Sequence, residues 1–343
     1  MYLGHFNYHL PKKHIAQKPM SPRDHSRLLI LDRKTGRMKH KHFYDIGEFL
    51  LKGDVVVMNN SKVIPARLWG KKETGGKMEV FLLNKLGSRE WEVLVGGKGQ
   101  KKDLIISFEK GLKVRLVRRK KEGTWIVSFN KTGNRFEKIY KEIGEAPVPP
   151  YIKKKSDLKK YQTVYAKKEG SVAAPTAGFH FTKSLIQKLK RKGVEFEQVT
   201  LHVGLGTFQP VKSTDIKKHK MHPEFVEVSK NTLQALWKAK KDGKRIVAVG
   251  TTSVRVLETV VASLKNKKNP PTKLFRGWVN IFIYPGFEFK ITDAMITNFH
   301  LPQSTLLMLV SAYASREYIL NSYEVAKKKN YRFYSFGDSM LIK

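Results

Sequence analysis

Asp54-Val-Val-Val-Met-Asn-Asn60 is the stretch that decides the fold class. Val55 to Met58 run on without polar alternation, the pattern of a strand covered on both faces rather than one half-exposed at a sheet surface. The polar turn Asn59-Asn60-Ser61 ends it. The covering layers are supplied downstream, where helices expected over 183–192, 231–241, 253–264, 304–315 and 322–329 interleave with strands over 196–203, 245–249, 278–283, 292–297 and 332–336. Strands alternating with helices predict a largely parallel sheet or a distorted α/β barrel, with ligands at the carboxyl ends of the strands.

Upstream of that run, 2–10 alternates aromatic and polar residues like an edge strand, 27–32 reads as a short strand and 45–51 as a helix. A strand over 63–69 contains Pro65 and so belongs at an edge or a bulge. From 70 to 144 the rhythm changes to short strands, near 78–83, 91–96, 104–108, 114–117 and 124–129, divided by glycine-rich turns. That spacing predicts a small β-barrel or sandwich. A helix near 134–143 follows, then Ala146-Pro-Val-Pro-Pro-Tyr151, a stiff extended connector read as the return crossing. The expected organisation is an α/β barrel-like domain formed by 1–69 and 147–343, with a β-barrel domain inserted over 70–146.

With 343 residues, 41% of them hydrophobic, the chain can bury a full core. No apolar run reaches the roughly 18 residues of a membrane span, and the start carries no signal-peptide core, so the expected location is the cytoplasm. There is no cysteine, which removes disulfides, cysteine nucleophiles and thiolate metal sites. The formal charge of +38 points to a polyanionic partner such as nucleic acid. Lysine and arginine clusters recur at 98–102, 118–121, 153–155, 188–192, 217–220, 238–245 and 265–268, which also fits solvated helix faces.

Four motifs lie just beyond expected strand ends. Ser171-Val-Ala-Ala-Pro-Thr-Ala-Gly-Phe-His-Phe-Thr182 surrounds His180 with small, backbone-exposing residues, and Thr182 is placed to cap the next helix. Taken alone, it also fits a tight loop whose His satisfies a carbonyl. His202-Val-Gly-Leu-Gly-Thr-Phe208 lets Gly204 and Gly206 bring backbone close to a ligand, with His202 at the strand end; Gln209 stands where a dinucleotide fingerprint would need its third Gly. Gly250-Thr-Thr-Ser-Val-Arg255 offers hydroxyls and backbone N–H groups to an anion. Arg255 in a first helical turn would oppose the macrodipole, so it answers either an external anion or an i,i+3 partner, Glu258. In Thr297-Asn-Phe-His-Leu-Pro302, Asn298 and His300 can donate and accept hydrogen bonds. None of the histidines has metal-ligand spacing, and no metal is expected.

Together with Asn59-Asn-Ser-Lys-Val-Ile-Pro-Ala-Arg-Leu-Trp-Gly70, Tyr161-Gln-Thr-Val-Tyr165 and Phe336-Gly-Asp-Ser-Met340, these motifs resemble the S-adenosylmethionine:tRNA ribosyltransferase-isomerase family of queuosine biosynthesis. The resemblance runs from Phe6 almost to the C-terminus. It implies a distorted α/β barrel-like domain with an inserted β-barrel, and transfer with isomerisation of the ribosyl part of S-adenosylmethionine onto 7-aminomethyl-7-deazaguanine at the tRNA wobble position. Epoxyqueuosine-tRNA, adenine and methionine would result. S-adenosylmethionine is then a co-substrate, no further cofactor is expected, the partners are that tRNA and S-adenosylmethionine with no membrane, and the protein is expected to act as a monomer.

Within that reaction the expected catalytic residues are His180 and His202, for proton transfers, and Arg255, holding the methionine carboxylate with Thr251 and Ser253. Asn298 and His300 would contact adenine or the modified base, and Thr176, Gly178, Phe179, Gly204, Gly206 and Thr207 would complete the substrate site. Two rivals compete with this reading. A non-catalytic basic RNA-binding protein would leave the four motifs unexplained, and an ordinary methyltransferase would need an acidic-Gly-x-Gly loop after its first strand, which is absent.

Overall fold

The computed structural model describes all residues except 154–156, 205–210, 212 and 265–268, and the side chain of Ser263. In chain order come β1 (Arg27–Leu31), β2 (Met38–His42), β3 (Val55–Asn59), β4 (Ser61–Val63), β5 (Arg67–Lys72), β6 (Lys77–Lys85), β7 (Glu90–Gly96), β8 (Ile105–Ser107), β9 (Lys113–Arg119), β10 (Trp125–Phe129) and α1 (Gly133–Ile143). They are followed by β11 (Lys168–Ser171), α2 (Lys183–Arg191), β12 (Glu195–Leu201), β13 (Glu224–Val228), α3 (Lys230–Lys241), β14 (Ile246–Val249), α4 (Gly250–Leu264), β15 (Phe275–Val279), β16 (Ala294–Asn298), α5 (Thr305–Ala314), α6 (Arg316–Lys328) and β17 (Ser339–Ile342).

Nine strands form one sheet in the order β15-β13-β12-β3-β14-β16-β17-β1-β2. The run 55–58 is its centre, and every residue of β3 is buried. Val55 and Val57 enter one apolar cluster, shared with α3, α4 and α5, while Val56 and Met58 enter the other, shared with α2. Each such side chain contributes roughly 1.5–3 kcal/mol by leaving water. The sheet is mixed rather than largely parallel: β12, β3, β14 and β16 run parallel, as do β17 and β1, but β13, β15, β2 and the β16–β17 ladder are antiparallel. The parallel block is what puts several strand C-termini at one end.

The second unit is a closed barrel, β10-β7-β6-β5-β8-β9, filled by fully buried Leu68, Val80, Leu82, Val93, Leu116 and Val127 and plugged by Phe136 and Tyr140 of α1. Its first strand begins at Arg67, and an Arg67–Glu145 bridge ties the way in to the way out. The segment expected as one strand over 63–69 is therefore split, its start in β4 and its end in the barrel wall.

Several local expectations fail, two of them where side chains capture the backbone. Residues 2–10 hold a 3-10 turn, Leu3–Phe6, closed by the Asn7 N–H on the Gly4 carbonyl, not an edge strand. The helix expected over 45–51 is a 3-10 segment, Phe43–Glu48, with a capping box between His42 and Asp45. No strand forms over 332–336, because the Asp338 carboxylate takes the Arg332 N–H at 2.8 Å and folds the segment into a turn with Tyr334 at φ 70°. The strand expected over 278–283 is displaced to Phe275–Val279. By contrast, Thr182 caps α2, accepting the Leu185 N–H at 3.1 Å.

Candidate functional site

The C-terminal ends of the parallel strands open onto a cavity of about 390 Å³, within the ordinary range for a small-molecule site. Its floor is the turn from β14 into α4 and the end of β16. One wall is Ala173 to Ala177, another Phe299 to Leu306, and Pro149, Pro150 and Tyr151 of the proline connector close it with Tyr161, Tyr334 and Ser335. Gly250 at φ 84° makes the sharp strand-to-helix turn that brings α4 to the cavity. Among the described residues Arg255 is the one charged side chain in the lining.

α4 begins at Gly250, so Arg255 lies in its second turn, and the expected opposition to the macrodipole is not what explains it. Nor is Glu258 its partner. That carboxylate accepts the N–H groups of Lys290, Ile291 and Thr292 and the Thr292 hydroxyl. The guanidinium instead pairs, through Nη1, with buried Glu224 of β13, whose other oxygen takes the Gly204 N–H at 3.1 Å. Among the described residues Arg255 Nε and Nη2 are buried with no hydrogen-bond partner, and so is Oγ1 of Thr252, one turn earlier and also in the lining. Buried donors left unmade cost about 1–3 kcal/mol each, more when charged, a cost that a hydrogen-bonding ligand or water at the start of α4 would offset. Thr251 lines the cavity as well, whereas Ser253 is fully buried and spends its hydroxyl on the Val249 carbonyl at 2.7 Å.

On the opposite side the groups are saturated. His180 is 3% exposed, with Nδ1 on Ser26 Oγ at 2.7 Å and Nε2 on Asn298 Nδ2 at 3.2 Å. An amide that donates to Nε2 requires the Nδ1–H tautomer, which then donates to Ser26. Asn298 also donates to the Tyr334 and Asp338 carbonyls, at 3.3 and 3.4 Å, and accepts from Thr176 Oγ1 at 3.0 Å. Thr176 and Asn298 line the cavity; His180 stands behind them. Burial pushes His180 down to about 3, so it is a neutral spacer at neutral pH. His300 does line the cavity, with Nε2 on Thr297 Oγ1 at 2.8 Å, and burial holds it at about 3 too. Burial raises Tyr151, Tyr161 and Tyr334, which keeps these phenols protonated.

The remaining sequence candidates fall elsewhere. His202 is outside the cavity, half-buried on the other face of the sheet against Gly170, its Nδ1 buried with no partner among the described residues and its ring stacked with Phe225 at 6.3 Å between centroids. Phe179 stacks on Phe336 at 5.9 Å, away from the lining. Gly178 is a packing glycine, because a Cβ there would sit 1.9 Å from the Tyr165 hydroxyl. Gly204 reaches the site only through Glu224, and Gly206 and Thr207 lie outside the described residues. Thr252, Glu224 and the Pro149-Pro150-Tyr151 wall were not among the expected site residues. Thr252 was legible as part of the hydroxyl-rich turn, whereas Glu224 had no local signal. Among the described residues no three His, Asp or Glu side chains converge as metal ligands, and no helix is long and apolar enough to cross a membrane.

A family profile described as a queuosine biosynthesis protein matches residues 3–342. The S-adenosylmethionine:tRNA ribosyltransferase-isomerase of Thermosipho melanesiensis is 52% identical over 343 residues, all of both chains. The enzyme of that name from Thermotoga maritima is 50% identical over the whole of both. The crystal structure of the S-adenosylmethionine tRNA ribosyltransferase from Thermotoga maritima aligns with a TM-score of 0.57, covering 99% of this chain and 100% of that one; over this structural alignment the identity is 39%.

Proposed function

Since the chain belongs to the queuosine biosynthesis family of S-adenosylmethionine:tRNA ribosyltransferase-isomerases, we propose that the cavity is where S-adenosylmethionine meets a 7-aminomethyl-7-deazaguanine at the tRNA wobble position. The protein is a transferase and isomerase that modifies tRNA, with S-adenosylmethionine as co-substrate. The product is epoxyqueuosine-tRNA, released with adenine and methionine by a cytoplasmic monomer. What supports placing the chemistry here is the set of unmet donors on α4: Arg255 Nε and Nη2, with Thr252 Oγ1 beside them. A guanidinium fork matches a carboxylate in geometry and charge, and the methionine part of S-adenosylmethionine carries the one carboxylate in that molecule.

The division of labour then follows from polarity. Arg255, oriented by Glu224, and Thr252 anchor the amino-acid end. His300 presents a hydrogen-bonding edge to a base, and Thr176 and Asn298, spent on each other and on nearby carbonyls, shape the wall beside it, with His180 fixing the Asn298 amide. The sulfonium and the attacking amine lie in a lining that, among the described residues, contains no carboxylate. Desolvation and the Arg255 charge both disfavour an ammonium there, which favours the free amine as nucleophile. The same surroundings disfavour the sulfonium, and so promote departure of methionine as a neutral thioether, the C–S bond breaking with its electron pair left on sulfur. His180 and His202 serve in this scheme without contacting the reacting atoms, the first by positioning and the second outside the site.

The experiment is incubation of tRNA carrying the aminomethyl base with the protein and S-adenosylmethionine, followed by mass spectrometry of the nucleosides. An epoxycyclopentanediol adduct with one adenine and one methionine released per adduct is expected. Methylated tRNA, or unchanged tRNA that is nonetheless bound, would overturn the reading.

A further inference from the structure

The solvent-facing side of the outermost strands carries a feature that the cavity does not use. In β13 the buried alternation Glu224, Val226, Val228 leaves Phe225 and Glu227 on the other face. The registers set Phe225 opposite Trp278 of β15, and Glu227 opposite Arg276 on one side and Thr200 of β12 on the other. The Phe225 carbonyl takes the His202 N–H at 3.0 Å. Two rows therefore cross adjoining strands. One is aromatic, His202 stacked on Phe225 with rings inclined by 14°, and Phe225 edge-to-face with Trp278 at 5.6 Å. The other is charged, with Arg276 and Lys168 both on Glu227, at 2.5 and 3.4 Å.

Among the described residues nothing covers the outer end of the aromatic row, where Trp278 is 61% exposed, the same as Tyr2 and as open as any other described large apolar side chain. Its inner end adjoins the cavity: His202 is followed by Val203, which lines it, and the Val203 carbonyl binds the Val172 N–H. Flat rings on a sheet face, bordered by cations, are how single-stranded nucleic acid is held, because every base has a face to stack and every phosphate a charge to neutralise. The two cations share one carboxylate, leaving the border positive. A second copy of a chain carrying +38 would be repelled from it.

We propose that the His202–Phe225–Trp278 row is a stacking platform for unpaired bases of the tRNA next to the base that enters the cavity. This rests on the tRNA-modifying reading above and adds the surface that orients the loop. A base on Trp278 holds the strand so that its neighbour leaves the stack at the cavity mouth, and Arg276 and Lys168 bind the intervening phosphates.

The test is equilibrium binding of a synthetic anticodon stem-loop and of the same stem-loop carrying one abasic loop position at a time, by wild type, Trp278→Ala and Trp278→Phe. Stacking of one base predicts binding roughly 5- to 100-fold weaker for Trp278→Ala and near wild type for Trp278→Phe. At one loop position, removal of the base and removal of the ring are expected to be non-additive. Wild-type binding with Trp278→Ala within twofold of it overturns the platform and leaves the tRNA reading intact, as does an equal loss in Trp278→Phe. Failure of wild type to bind any tRNA overturns the underlying reading. Sedimentation of the same variants checks the rival occupant: a wild-type dimer that Trp278→Ala dissociates makes the row a protein interface and contradicts the proposal.

Discussion

The two sides of the cavity hold buried polar side chains of the same sequence promise and opposite condition. On one side, His180, Asn298 and Thr176 satisfy one another and nearby carbonyls completely. On the other, Arg255 spends one nitrogen on Glu224 and leaves two buried without partners among the described residues, beside an equally unmet Thr252 hydroxyl. A saturated network has nothing left to offer a ligand except its shape, so it positions. An unsaturated one carries an energetic debt that only a ligand or water can settle, so it binds. Motif spacing ranked His180 and Arg255 together; hydrogen-bond accounting separates them.

The largest break in that contrast comes from Arg255→Met. Removal of a charge-assisted fork is expected to lower kcat/KM for S-adenosylmethionine by roughly 10²–10³-fold. The single variant also leaves Glu224 buried and unpaired, at a cost of about 3–5 kcal/mol in stability. Glu224→Gln/Arg255→Met is expected to recover most of the stability and none of the activity, measured by denaturant titration and initial rates. Recovery of both would mean that Arg255 acts only by pairing Glu224.

A smaller effect is expected on the saturated side. His180→Ala frees the Asn298 amide and opens a buried void, and kcat/KM is expected to fall roughly 10- to 100-fold. Because burial keeps His180 near 3, its loss leaves the shape of the rate profile between about pH 5.5 and 8 unchanged. A profile that loses a limb in this variant would restore His180 as a proton carrier.

The strand Val55 to Met58, the alternation of helix and strand beyond it and the barrel's short strands were legible because burial on two faces, or on one, imposes a local period on the residues. Thr182 was legible as a cap for the same local reason. Asp338, by contrast, gives no warning at 332–336 that it will fold that segment into a turn, and β13 shows period-2 alternation in only five residues, too few to stand out. The site divides likewise. Thr176, Thr251, Asn298 and His300 sit at or just beyond the segment ends that the alternation of strand and helix predicts. Arg255 could be paired on paper only with Glu258, a helical neighbour, whereas its partner is 31 residues away across a sheet strand. His202 was placed at a strand end correctly, but the side of the sheet it faces depends on register with β13, which no local pattern contains.

The saturated side also predicts an acid sensitivity. His180 and His300 stay neutral in the fold down to about 3, whereas in the unfolded chain they take up protons near 6.5. The unfolded state therefore binds more protons between those values, so stability is full above about pH 6.5 and is lost as pH falls toward 3. His180→Gln is expected to make the slope of unfolding free energy against pH shallower in that window, as followed by urea midpoints. An unchanged slope would mean that His180 is charged in the fold.

The smallest effect is expected at His202. It lies outside the cavity, so His202→Ala is expected to leave S-adenosylmethionine affinity within about twofold of wild type by calorimetry, whatever it does to RNA. A loss above tenfold would return His202 to the site.

The central claim, that the unmet donors of α4 read a carboxylate, is tested most directly by equilibrium binding of S-adenosylmethionine and its methyl ester to wild type and to Glu224→Gln/Arg255→Met. The account predicts that wild type prefers the free acid by at least about tenfold, the worth of one charge-assisted hydrogen bond, and that the double variant binds acid and ester alike. Equal binding of the two by wild type, or an undiminished preference in the double variant, would contradict it.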